Sequence, residues 1–317
     1  MTHIFTTVYN HGPVQIQIFA DMTSGKYTLE NINYDNTALH SKVFFYGDVV
    51  ERVGNLNEIE EDALARIYEA TDAGKDWKKT MIVGGVKKST TGENYFMKVV
   101  QGDYRLVRTM REYVSSSTDP ACADSVLRTI NPLSIGGVVE VENKVIFKSR
   151  SMPFLTGMWE APPGGYVDFV PNRGTDPSRA KTLEETLFTE IREELQIERE
   201  EVESFVPIGI HRAMRRSMTT DVDFYFRTGL SEQKLLERFE RAKGADGGEH
   251  DDFQLVTADE KILKDYLVRS AKSIADSSLG RLALYYKMKF GESAQRDLLE
   301  ELRDDVVLTK GYVKILQ

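Results

Sequence analysis

The chain has 317 residues, 41% of them hydrophobic, and 41 Lys and Arg stand against 50 Asp and Glu for a formal net charge of −9. That length admits two domains of ordinary size with a real core, and the acidic balance excludes a broad electrostatic grip on nucleic acid, though not a local basic groove. A single cysteine, Cys122, excludes an intrachain disulfide framework and argues against cysteine-ligated zinc.

The opening "MTHIFTTVYNHGPVQIQIFADMTSG" has no basic stretch ahead of an apolar core, and no run of about 18 apolar residues follows anywhere. Neither a secretory leader nor a membrane span is expected, and the cytoplasm is the simplest placement. In "PVQIQIF", Val14, Ile16 and Ile18 alternate onto one face, as in a half-buried strand. "KYTLENINY" and "SKVFFYGDVV" are further strand candidates between turn-forming residues. "NEIEEDALARIYEATDAG" places Ile59, Ala63, Ile67 and Ala70 on one helical stripe, with Gly74 as a stop. "KKTMIVGGV" reads as a strand and "YRLVRTMREYV" as a helix. This first part is expected to be an α+β domain of unknown function, residues 1–122. The polar, proline-containing "SSSTDPACADS", Ser115 to Ser125, is the candidate boundary.

Residues 123–317 have a different texture. "LSIGGVVEVENKVIFKSRS" predicts two strands joined by a turn near Glu142–Asn143, followed by "GMWEAPPGGYVDF" and the polar segment "VPNRGTDPSRAK". Next comes "LEETLFTEIREELQIE". Positions i, i+3 and i+4 share a helix face, so Glu190, Glu193 and Glu194 converge, while Leu183, Leu187, Ile191 and Leu195 form an apolar stripe. Three carboxylates so close repel one another, and a hard divalent cation would relieve the repulsion. Taken alone, the helix fits better a solvated acidic face offset by Arg192 and Arg199, since such faces are common. The Gly164–Gly165 pair lets the backbone approach a ligand closely. "VPIGIHRAMRRS" and "DVDFYFRTGL" predict strands, and three helices are expected in "SEQKLLERFERAKG", "DEKILKDYLVRSAKSIADS" and "LGRLALYYKMKFG".

Over roughly residues 132–290 the chain resembles the Nudix hydrolase family. That family's signature ends in Arg-Glu-aliphatic-x-Glu-Glu-x-Gly-aliphatic, and here this stretch reads Thr189-Glu190-Ile191-Arg192-Glu193-Glu194-Leu195-Gln196-Ile197. The acidic and aliphatic positions match. Thr189 replaces the Arg, Gln196 replaces the Gly, and the loop before the helix is ten residues longer than the signature's spacing. Trp159-Glu160 and Gly164-Gly165 fit the family's approach to this box, with Asp168 in place of Glu.

The resemblance implies a Nudix-like α/β/α sandwich carried beside the N-terminal α+β domain. It further implies Mg2+- or Mn2+-dependent hydrolysis of a diphosphate linkage in a nucleoside diphosphate derivative. Glu190, Glu193, Glu194 and the Gly164 backbone would hold the metal, and Glu193, Glu194 or Glu249 would handle the proton of the attacking water. Arg150, Arg212 and Arg216 are the expected contacts to substrate phosphate; a surface turn paired with acids is the alternative for the last two. Arg179 or Lys181 of the inserted segment is expected to reach back to the acidic cluster in place of the missing Arg. The altered box also fits a domain that binds a nucleotide ligand without cleaving it, as a sensor or regulator. The N-terminal part of a scaffold could equally carry the function. The resemblance is compatible with a homodimer.

Overall fold

The structure, a computed structural model, describes residues 7–11, 14–23, 28–38, 66, 79–88, 94–116, 132–150, 157–168, 182–213, 219–242 and 250–302. Outside these fall "SKVFFYGDVV", all of the expected helix over 57–74 except Arg66, most of the candidate boundary, and the inserted segment with Arg179 and Lys181.

The main sheet is built from β1 (Thr7–His11), β2 (Val14–Asp21), β6 (Leu133–Val141), β7 (Lys144–Arg150), β10 (Val202–Ala213), β11 (Thr219–Thr228) and β12 (His250–Thr257). Their order is β1-β2-β10-β11-β6-β7-β12, with β8 (Trp159–Glu160) paired to β7 and β9 (Gly164–Tyr166) paired to β6. The β11–β6 pair is parallel, and the other pairs are antiparallel. A second sheet, in the order β3-β5-β4, comprises β3 (Thr28–Ala38), β4 (Lys79–Lys88) and β5 (Asn94–Asp103), and it leads into helix α1 (Tyr104–Ser116). The remaining helices are α2 (Leu183–Leu195), α3 (Glu232–Ala242), α4 (Glu260–Ser270), α5 (Asp276–Phe290) and α6 (Glu292–Glu301).

Period-two alternation in the strands divides the apolar side chains between two layers. Ile135, Val139 and Val141 of β6 and Ile146 of β7 pack against Leu183, Leu187, Ile191 and Leu195 of α2 and Leu235 of α3. Val138, Val145 and Phe147 face the other way, onto Leu263 and Leu267 of α4, Leu282, Tyr285 and Tyr286 of α5, and Leu298 of α6. The result is an α/β/α sandwich, as the resemblance implied. Each fully buried aliphatic of the α2 stripe contributes about 1.5–3 kcal/mol, which fixes the roll of that helix and so the direction of its acidic face.

Local sequence sets the element ends. Glu142 and Asn143 both have positive φ, 45° and 60°, the turn that matches the twist of a two-residue hairpin. Thr182 and Glu185 form a reciprocal capping box at the start of α2. Gln196 ends α2 in the left-handed region at φ 54°, and its side-chain amide donates back to the carbonyls of Arg192 and Glu193.

Three features depart from expectation. Residues His250–Thr257, for which no strand is expected from the sequence, form β12, which pairs with β7. The helix expected over 259–277 breaks, because Ala275 is extended and its N–H donates to the carbonyl of Trp159 at 2.8 Å, which draws Ile274 into the core. The third departure is in the main sheet, which crosses the division expected at 122/123. β2 pairs with β10 through Ile18–His211 and neighbouring positions, and Met22 is fully buried against residues of α2 and β11. Among the described residues no helix is long and apolar enough to cross a membrane.

Candidate functional site

The α2 stripe turns Glu190 and Glu194 towards β9. The Gly164 N–H donates to Glu194 Oε1 at 3.2 Å. A Cβ on Gly165 would stand 2.7 Å from Glu190 Cγ and nearer still to its carboxyl group, so only glycine lets β9 lie this close. Glu190 and Glu194 are partly buried, and Glu193 points to solvent one turn along. Gly165 is held in turn by Ser134, whose hydroxyl donates to its carbonyl at 3.0 Å.

Among the described residues no three acidic, histidine or cysteine side chains already stand together as a metal cage. The donor chemistry nevertheless fits a hard divalent cation: two carboxylates converge on a glycine backbone, with a third carboxylate on the same helix face. Gly165→Ala is expected to separate stability from function. The neighbour it displaces is the flexible end of Glu190, so the melting temperature should shift little. Mn2+ affinity, read by calorimetry, should fall at least tenfold.

Two cations that sequence reading did not single out bear on this geometry. Lys148 of β7 is 1% exposed, and its Nζ donates to the carbonyl of Glu194 at 2.5 Å, while lying 5.6 Å from the Phe239 ring centroid. A cation at the last turn of α2 offsets the negative end of the helix. Its signal was present in the sequence: Lys148 shares the register of Ile146, a core-facing position of β7. Thr189, in the place of the family's Arg, instead donates its hydroxyl along its own helix to the Glu185 carbonyl at 2.7 Å.

The second cation is Arg281 of α5, 3% exposed. Its Nη1 donates to the carbonyls of Ala161 and Pro163, both at 2.7 Å, immediately before Gly164. Its other nitrogens reach Asp221 Oδ1 at 3.4 Å and Asp223 Oδ1 at 3.5 Å. His211 Nδ1 lies 2.5 Å from Asp223 Oδ2, and its Nε2 lies 3.9 Å from Asp221 Oδ2. Thr219 completes the cluster with a 2.6 Å bond to Asp221. Gly280 gives His211 room, since a Cβ there would meet the imidazole.

Burial opposes protonation of His211, but the Asp223 carboxylate beside it outweighs that and raises the pKa above the ordinary 6.5. Burial likewise raises Asp221 above its ordinary 3.8. Both groups bind protons more tightly in the folded chain, so each favours folding at lower pH. The His211 contribution is complete below about 6.5 and is lost as pH rises through its raised folded value. Melting temperature is therefore expected to decline as pH rises above 6.5, with a flatter decline in His211→Gln; identical slopes in the two proteins would contradict this.

The expected phosphate contacts are placed as follows. Arg212 is buried in β10, opposite Thr220 on one side and Gln17 on the other, rather than in a surface turn. Arg150 ends β7 with its backbone opposite His250, and its side chain lies outside the described residues. Arg216 and Glu249 also lie outside them, as do Arg179 and Lys181.

No protein-family model matches the chain. No curated protein matches it. Among solved structures the chain is similar to a bifunctional NMN adenylyltransferase/ADP ribose pyrophosphatase from Francisella tularensis complexed with AMP and manganese, with 10% identity, TM-score 0.34, and coverage of 58% of this chain and 46% of that one. It is also similar to the NUDIX domain of Shewanella oneidensis NrtR complexed with ADP ribose, with 17% identity, TM-score 0.31, and coverage of 56% and 96%. A third is the Bacillus subtilis pyrophosphohydrolase BsRppH, with 15% identity, TM-score 0.30, and coverage of 55% and 82%. The chain spans about half the length of the Francisella protein. At these identities and scores the likenesses assign no activity.

Proposed function

We propose that the chain hydrolyses a diphosphate linkage in a nucleoside diphosphate derivative with the help of Mg2+ or Mn2+. The observation that supports this is the approach of Gly164–Gly165 to the carboxylates of Glu190 and Glu194. Glu190, Glu193, Glu194 and the Gly164 carbonyl would hold the cation. When bound, it supplies charge neutralisation for the diphosphate and acidifies water. Glu193, Glu194 or Glu249 would take the proton of the attacking water. Arg150, Arg212 and Arg216 remain the proposed contacts to substrate phosphate. A panel of nucleoside diphosphate derivatives, assayed with each cation for phosphoanhydride cleavage, tests the reading. Turnover of at least one compound, abolished by chelation, is expected; no cleavage of any would contradict it.

A second reading has one observation in its favour. The Thr189 hydroxyl is engaged with Glu185, so it supplies no guanidinium-like clamp to the neighbouring carboxylates. A domain built this way could retain a nucleotide without cleaving it, as a sensor. Saturable binding of such a compound, with no product after prolonged incubation with Mn2+, distinguishes the sensor from the enzyme.

A further inference from the structure

Gly164 and Gly165 have no side chains to anchor them, so their position depends on backbone contacts to β6, Ser134 and Glu194 and on the residues that flank them. The residues that follow this pair, Tyr166 to Asp168, meet the N-terminal part of the chain. Arg111 of α1 donates to the Tyr166 hydroxyl and, at 3.1 Å, to the Tyr104 hydroxyl. The Tyr104 and Tyr166 rings meet edge-on at 5.5 Å with an interplanar angle of 71°. The Arg111 guanidinium carbon lies 5.8 Å from the Tyr166 ring centroid and 6.0 Å from that of Tyr104. Below Tyr166, Thr80 of β4 bridges to Asp168 and places its hydroxyl 3.5 Å from the Val167 carbonyl. Leu106, Val107 and Met110 are buried, which fixes α1 and with it the direction of Arg111.

We propose that Arg111 is a positioning residue of the candidate site, holding Gly164 and Gly165 against Glu190 and Glu194 through the hydroxyl of Tyr166. α1 is then a working part of the site, although it lies before the proposed hydrolase region in sequence. The consequence for cation binding rests on the function proposed above; the restraint on the glycines does not. Without Arg111, the Tyr166 hydroxyl loses its charged donor, and the restraint on β9 falls to its pairing with β6 and the Ser134–Gly165 bond. The distance over which two carboxylates and a backbone carbonyl must converge is then no longer fixed, and small positional errors at such a site have large effects.

The test uses the full chain with Arg111→Met, Tyr166→Phe, both together, and Arg111→Lys. Amide exchange at Gly164 and Val167 and calorimetric Mn2+ affinity are read for each. Each single change is expected to speed exchange at Gly164 at least tenfold while strand 219–228 keeps its protection, and to weaken Mn2+ by threefold or more. The double variant should be no worse than either single one, and Arg111→Lys should recover most of the protection. Tyr166→Phe removes one oxygen at nearly constant volume, so it keeps the test decisive if Arg111→Met disturbs folding. Unchanged exchange at Gly164, or effects that add in the double variant, would overturn the proposal. A wild-type chain that binds no Mn2+ would count against the hydrolase reading alone, because the exchange pattern still decides the role of Arg111.

Discussion

Arg281→Ala is expected to cost about 3–5 kcal/mol, the range for removing one partner from a buried charge network. Arg281 is 3% exposed; its guanidinium donates to the carbonyls of Ala161 and Pro163 and to the Asp221 carboxylate, and it forms an ion pair with Asp223 at 3.5 Å. Its loss leaves two almost fully buried carboxylates with one fewer cation beside them, His211 remaining, where little water can compensate. Typical domain stability is only about 5–15 kcal/mol, so this loss removes a large share of it and the denaturation midpoint is expected to fall accordingly. Arg227 makes a useful control. Its ion pair with Glu203 is exposed, 57% and 48% for the two side chains, and Arg227→Ala should cost well under about 1 kcal/mol. Denaturant titration of the two variants measures the difference; equal, small losses would mean that the buried network carries little of the fold.

A fragment beginning at Ala123 is expected to be insoluble or to lack a cooperative melt. The sequence suggests a boundary there, but such a fragment loses β1 and β2, and with them the antiparallel partner of β10. The uncovered edge of β10 presents unpaired backbone groups beside the exposed Phe205 and Val206, an arrangement prone to edge-to-edge association. It also loses Met22, fully buried and bonded through its N–H to the Ile208 carbonyl at 2.8 Å, as well as Thr80 and Arg111 beside β9. Truncating a residue of this kind typically costs about 2–5 kcal/mol before the edge is considered. Sedimentation and thermal melting of the fragment decide the matter. A monomeric fragment with a sharp transition would show that residues 123–317 complete their own core.

Local pattern made much of the hydrolase-like part legible. The four-residue recurrence of Leu183, Leu187, Ile191 and Leu195 gave the buried face of α2, and with it the direction of Glu190 and Glu194. The turn at Glu142–Asn143 was readable from Asn143, a residue that accepts positive φ more readily than most. What stayed hidden depends on partners distant in sequence. Alternation in "PVQIQIF" shows that one face is buried but not that the strand lies on β10, nearly two hundred residues later. Arg281 looks like an ordinary cation because a sequence displays charge, not the carbonyls that three-dimensional packing brings to it. β12 was concealed for another reason: Asp251, Asp252 and Gln254 dilute the strand pattern.

Calorimetric titration of Mn2+ into the full chain and into Glu193→Gln/Glu194→Gln tests the central claim most directly. Two charged oxygen donors are lost while size and helix propensity barely change. Binding to the unaltered chain, weakened at least tenfold in the double variant, about 1.4 kcal/mol or more, is the expected result. Equal affinity in both proteins would make the acidic face of α2 a solvated surface and remove the basis for a metal-dependent hydrolase.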